Sequence, residues 1–271
     1  MNSSIRDLYQ KILASKDTNL YNDVIKKWVI ENEYKEYLTE SLQQYAVAYN
    51  KDFPQNELWE LYALTRVLDV LTLSFQDDNA NSANKSEPKV SIEEYIAIVE
   101  LLGLEVLFPS EYHAFNCEIF EAKKKSGAAE IVNCLFPAVK FGDVMIKRAG
   151  VHVALDADRY NVGNINKATM YWAHWRKNRN SADLSDGWGG NSQWRTMPRL
   201  DIENEEVFIY NPQGSINLSQ PTEIVMEELR QQGLSLEEAV ELTKYRQFVS
   251  CEKEDDDLSP YNFTYTAYKD R

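Results

Sequence analysis

EIVNCLFPAVKFGDVMIKRAGVHVAL, residues 130–155, is the stretch in which the hydrophobic period of this chain changes. Within it Glu130–Leu135, Val144–Lys147 and Val151–Leu155 are short runs with strand character, closed off by Pro137, Gly142 and Gly150. Runs of that length between turn residues read as strands. Tyr112–Ala122 has the same character upstream, with Gly127 in the gap. Val207–Tyr210 repeats it downstream, before Asn211-Pro212 and Gly214. The intervals are too short for crossover helices, so the spacing predicts an antiparallel sheet. Tyr261–Tyr268 alternates aromatic and polar residues and is a candidate last strand.

Toward the N-terminus the period is helical. Leu20, Val24, Trp28 and Val29 form one stripe, and Tyr34, Leu38, Leu42, Tyr45 and Tyr49 another. Pro54 marks a break and Asn56 is a candidate N-cap. The helix that follows, to about Phe75, is apolar on several sides and shows no polar cluster that suggests chemistry. Residues 76–90, QDDNANSANKSEPKV, have the composition of a loop or linker. Ser91 and Glu94 then set up a capping box for a helix through Leu102, stopped by Gly103. Pro221 opens a helix to about Gln232, and Ser235–Val249 reads as another, with glutamates in its first turn. The predicted fold is α+β: an N-terminal helical unit over 1–76, a flexible linker or loop over 77–90, and an α+β domain over 91–271. That domain is a mainly antiparallel sheet with flanking helices.

A chain of 271 residues buries enough core to fold without disulfides. Cys117, Cys134 and Cys251 fit neither a disulfide framework nor a zinc pattern. No apolar run is long enough to span a membrane, and MNSSIRDLYQKIL lacks a signal-peptide core, so a cytoplasmic location without a membrane partner is expected. The net charge of −14 is unevenly spread: residues 1–120 hold 10 basic and 20 acidic side chains, 121–200 hold 13 and 7, and 201–271 hold 6 and 16. An acidic outer field repels phosphate and argues against nucleic acid as a partner. It favours a basic protein.

Chemically rich residues concentrate in the basic third. Four of the six tryptophans, Trp172, Trp175, Trp188 and Trp194, lie between residues 172 and 194. A helix over 167–178 would set Tyr171, Trp172 and Trp175 on one face, with Arg176 and Arg179 on the next strip. Two readings of this cluster compete. In the first, Arg176, Arg195 and Arg199 grip an anionic group, Trp188 and Trp194 form stacking walls, and Asn191 and Gln193 orient the ligand. His174 is then a candidate acid or base. In the second, the rings are core and the polar groups satisfy the loop's own backbone.

Ser192 lacks the G-x-S-x-G context of a nucleophile, and no residue is assigned a catalytic role. Phosphate loops, dinucleotide fingerprints, zinc-protease and EF-hand motifs are missing, and no cofactor is expected. His113, His152 and His174 are isolated from one another in sequence, so a metal site would need ligands converging from distant segments, and no metal ligand is assigned. Asp156 and Asp158 read as a turn with polar caps, and Lys123–Lys125 as a charged hairpin tip.

The combination of Arg148–Val151 (RAGV), Tyr171–Arg179 (YWAHWRKNR) and Asp186–Thr196 (DGWGGNSQWRT) resembles a segment of uncharacterised bacterial proteins. The resemblance implies no known activity. In composition the chain is similar to immunity proteins paired with bacterial toxins. The resulting expectation is a non-enzymatic binding protein that neutralises a cationic toxin through acidic surfaces. The alternative is an enzyme or sensor that binds a small anionic ligand at the Trp/Arg/Asn/Gln cluster.

Overall fold

The strand-rich stretch folds into more than one sheet. The computed structural model describes residues 4–16, 19–47, 54–77, 87–185, 194, 196–253 and 258–269. In chain order the strands are β1 (Glu105–Leu107), β2 (Cys117–Lys125), β3 (Glu130–Phe136), β4 (Ala138–Phe141), β5 (Val144–Lys147), β6 (Ala149–Asp156), β7 (Met170–Tyr171), β8 (Ser181–Ala182), β9 (Asp201–Glu203), β10 (Val207–Tyr210), β11 (Ile216–Asn217) and β12 (Phe263–Tyr268). The largest sheet runs β1-β4-β5-β9-β10-β12-β11, a second runs β2-β6-β3, and β7 pairs with β8. The candidate last strand is therefore an inner one, antiparallel to β10 and parallel to β11.

The antiparallel expectation holds for most pairs, but β2 and β6 pair in parallel. Their connection runs through β3, β4 and β5, so whole strands do the work of a crossover helix. Because β6 lies between β2 and β3, Lys123–Lys125 end a strand and are not the tip of a hairpin. Lys125 instead reaches Glu130 at 2.8 Å across the gap.

Helices α1 (Ile5–Ala14), α2 (Lys26–Glu31), α3 (Tyr34–Val47) and α4 (Gln55–Leu71) precede the sheets, with a π-helical turn over Tyr21–Ile25 leading into α2. The helix α4 starts at Gln55 behind Pro54, so Asn56 lies inside it and is not its cap. Ser91 caps α5 (Ile92–Leu101) with the full capping box, and Gly103 follows at φ +77. A short α6 (Val162–Ile165) follows β6; α7 (Glu223–Gln231) and α8 (Leu236–Tyr245) lie between β11 and β12. Thr222 caps α7, and α8 stops four residues before the expected Val249. Arg246 turns left-handed at φ +63 there, donating its N–H to the Leu242 carbonyl. Of the predicted linker, residues 78–86 lie outside the described residues, while Glu87 pairs with Lys177 at 3.0 Å.

The period-two pattern sorts side chains between two cores. Val139, Val144 and Ile146 join the cluster built by α1–α5, whereas Ala138 and Met145, their strand neighbours, join a second cluster with β2, β6 and Tyr210. Burial on both faces explains why these strands lack polar alternation. Gly150 shows why RAGV needs its glycine: a Cβ there would lie 2.5 Å from the Phe136 ring and 3.1 Å from that of Phe120. Gly150→Ala is expected to cost about 1–3 kcal/mol by overpacking, read as a lowered urea midpoint at unchanged slope. An unchanged midpoint would mean that the rings have room to move.

Candidate functional site

Residues 167–178, whose aromatic spacing would suit a helix, do not form one. After β7, Trp172 takes φ +54, and the backbone donors go to distant acceptors. Tyr171 N–H donates to the Arg246 carbonyl at 2.8 Å, His174 N–H to Asp69 Oδ2 at 3.1 Å, and Lys177 N–H to Gln76 Oε1 at 3.0 Å. The aromatic spacing is helical by coincidence, because tertiary partners replace the i−4 carbonyls.

This irregular strand lies against α4, where the buried Arg66 and Asp69 form a polar cluster that sequence reading missed. The signal for it was there: Tyr62, Arg66 and Asp69 recur at helical spacing within an otherwise apolar helix. Asp69 pairs with Lys147 and meets Arg176 Nη1 at 3.1 Å. Arg176 is also held in a two-point grip by Glu118, with Nε to Oε1 at 2.5 Å and Nη2 to Oε2 at 3.0 Å. Burial pushes both carboxyl groups up, but the adjacent cations outweigh it. Asp69 is held well below the usual carboxylate range, and Glu118 falls to about 2.

Arg66 donates to Ser185 Oγ at 2.5 Å and lies 4.9 Å from the ring centres of both Tyr62 and Trp194. Tyr62 in turn donates to Asp183 Oδ1 at 2.7 Å. Trp194 is buried, edge-on to Tyr9 at 5.0 Å, so it serves as core. Trp175 packs against the same helical cluster, 6.3 Å from the His174 ring.

His174 Nε2 shares a 2.9 Å hydrogen bond with the Tyr9 hydroxyl. Burial first, then Arg66, lowers the His174 pKa to about 4, so the ring is neutral at pH 7. A base working near neutrality needs a pKa closer to 7. The same shift has a consequence for stability. The unfolded ring takes up a proton near its ordinary pKa of 6.5, so the neutral ring stabilises the fold above that pH. That contribution is lost as pH falls toward 4. His174→Gln is expected to flatten this part of the stability curve, measured by urea melts from pH 4 to 7. An equally steep variant would assign the loss to other groups.

A second charged centre surrounds Asp201, which is 0% exposed. Its carboxylate accepts from Arg199 Nε at 2.8 Å, Arg148 Nη2 at 2.9 Å and the Asn211 N–H at 2.9 Å. Arg246 Nη2 stands 3.5 Å away. The Arg199 guanidinium also lies 4.2 Å from the centre of the Trp172 ring. Sequence reading missed Arg148, Asp201 and Arg246; a lone charge inside the apolar Leu200–Ile202 run was the available signal.

A cavity of about 40 Å³ joins the two centres. Of the sequence-predicted residues, Trp172, His174, Arg176 and Arg199 line it, together with Asp69, Glu118, Lys147 and Arg246. Trp188, Asn191, Gln193 and Arg195 lie outside the described residues.

His152 stands apart from the cavity. Its Nε2 faces Asp77 at 3.1 Å and its Nδ1 faces Glu121 at 3.7 Å. The three side chains bring one ligand atom each to within 4.8 Å of one another, a spacing that could hold a metal ion, with Asp77 on the exposed side. Asp156 Oδ1 accepts the Asp158 N–H at 3.2 Å, the expected polar turn.

The chain matches no protein-family model, and no curated protein or solved structure shows significant similarity to it. Among the described residues, no helix is long and apolar enough to cross a membrane.

Proposed function

We propose that this chain is a binding protein whose acidic exterior receives a basic protein partner, in its most concrete form a cationic toxin that it neutralises. The observation that carries the reading is where the charges lie. Arg66, Lys147, Arg148, Arg176, Arg199 and Arg246 are buried, against buried Asp69, Glu118, Asp183, Asp201 and Glu241. The buried charges of the described interior are therefore close to balanced, and four of the basic side chains of residues 121–200, Lys147, Arg148, Arg176 and Arg199, are taken up there and not on the surface.

The helix α7 offers one surface suited to such a partner. It buries only Leu229, while Ile224 is 74% and Met226 36% exposed beside Glu223, Glu227 and Glu228. Apolar anchors supply affinity once water is excluded, and the surrounding carboxylates steer a cationic protein toward them.

The test begins with recovery of the chain from its native host. A stoichiometric partner rich in Lys and Arg, released by moderate salt, is the expected result. Growth arrest by that partner alone, relieved by co-expression of this chain, would support the toxin form. Recovery of the chain without a basic partner counts against the reading. With the partner in hand, joint replacement of Glu223, Glu227 and Glu228 by Lys is expected to slow association about tenfold or more at low salt. Unchanged kinetics and salt dependence would remove α7 from the interface.

A further inference from the structure

Charge pairing in the interior is uneven. Near Arg176 the charges match, since Lys147 and Arg176 face Asp69 and Glu118. Near Asp201 they do not: among the described residues Arg148, Arg199 and Arg246 all pair with this one carboxylate, and only Arg246 also has Glu118 nearby. Hydrogen bonding is uneven in the same place. Arg199 gives Nε to Asp201 and Nη2 to the Thr243 carbonyl, yet its Nη1 is buried without a partner among the described residues. Arg246 Nε is likewise buried and unpartnered. Their side chains are only 2% and 7% exposed, and both residues line the cavity. A buried donor left unmade is costly, and a buried surplus of cations more so.

We propose that the cavity binds a small oxyanion, a carboxylate or phosphate-type group, through Arg199 Nη1 and Arg246 Nε with the Trp172 ring as its wall. The volume of about 40 Å³ admits a group of a few heavy atoms, far below the several hundred Å³ of a metabolite pocket. The ligand is thus a free ion or the charged end of a longer molecule that emerges past Met197, a lining residue that is 40% exposed. Arginine suits this role because its planar fork presents several donors to an oxyanion at once. Burial and the neighbouring Arg148 pull Arg199 down to about 10, and burial, Arg148 and Arg199 pull Arg246 down to about 9. An anion between them would relieve that repulsion. The site does not depend on a basic protein partner, and its failure leaves that reading unchanged.

Thermal unfolding of the full chain tests the site, with sodium phosphate, sulfate, acetate or hexanoate compared against chloride at constant ionic strength. A saturable rise of about 2–4 °C in Tm is expected for at least one oxyanion and not for chloride. Phosphate and sulfate acting alone would identify a phosphate-type ligand. Acetate and hexanoate acting together would identify a carboxylate on a longer chain.

Arg246→Met keeps the bulk and removes one surplus charge. This variant is expected to lose most of the oxyanion effect while melting no lower than wild type in chloride. If it fails to fold, Arg246→Gln provides the same comparison. Equal stabilisation by every salt, no saturation, or a full effect in the Arg246 variant that folds would overturn the site. So would the lack of an oxyanion-specific rise in the wild type.

Discussion

Asp201→Asn is expected to destabilise the protein by about 3–5 kcal/mol. A domain of ordinary stability has about 5–15 kcal/mol in all. The variant is therefore expected to be largely unfolded or aggregated at physiological temperature. Asn has nearly the shape of Asp, so little packing changes, but the one carboxylate that, among the described residues, pairs with Arg148, Arg199 and Arg246 is gone. Three buried guanidinium groups then repel one another, with Glu118 near Arg246 as the remaining carboxylate that offsets them. The Asn211 N–H, bonded to Asp201 Oδ1 at 2.9 Å, loses a charged acceptor as well. The measurement is a urea midpoint at pH 7 beside wild type. A loss under about 1 kcal/mol, the worth of an exposed ion pair, would show that this carboxylate does not organise the centre.

Arg176→Met is expected to cost a similar amount, about 3–5 kcal/mol at pH 7, because it strands two buried carboxylates. Glu118 loses its two-point partner, and Asp69 keeps only Lys147 and the His174 N–H among its near donors. The pH dependence identifies the cause. In the wild type both carboxyl groups are depressed in the folded state, so their contribution is present above the unfolded pKa of about 4–4.5. It fades as pH falls through the folded value of about 2 for Glu118. In the variant, burial prevails and raises these pKa values, so the folded state takes up protons more readily than the unfolded chain. The gap between variant and wild type is therefore expected to narrow as pH drops from 7 toward 4. A gap that stays constant with pH would trace the loss to packing instead.

Local signals in this sequence were legible where one segment supplies both partners. Ser91 and Glu94 cap α5 reciprocally, and the α8 helix repeats the arrangement with Ser235 and Glu238. The strand runs around β3 to β6 were legible because their turns are marked by Gly and Pro. Parallel pairing of β2 with β6 was not, since register depends on which face finds a core. The candidate site was half legible. Arg176 and Arg199 stood out by type and company, while their carboxylates belong to α4, β2 and β9.

The helical misreading of 167–178 has the same origin. Tyr171, Trp172 and Trp175 carry a helix-like spacing, but spacing reports only which side chains could share a face. Whether the backbone closes its own hydrogen bonds depends on what else offers an acceptor. Here Asp69, Gln76 and the Arg246 carbonyl do.

By itself, then, the sequence determined the fold class, the Ser91 capping box and the acidic balance, because these follow from neighbours along the chain and from sums over it. Only the tertiary structure decided that Arg148, Arg176 and Arg199 of the basic third turn inward to buried carboxylates. It also decided that Arg199 and Arg246 retain buried donors without a partner among the described residues. The reason is physical: a buried charge must find its partner in space, and apart from Asp201, two residues from Arg199, these partners come from elements far apart in the chain.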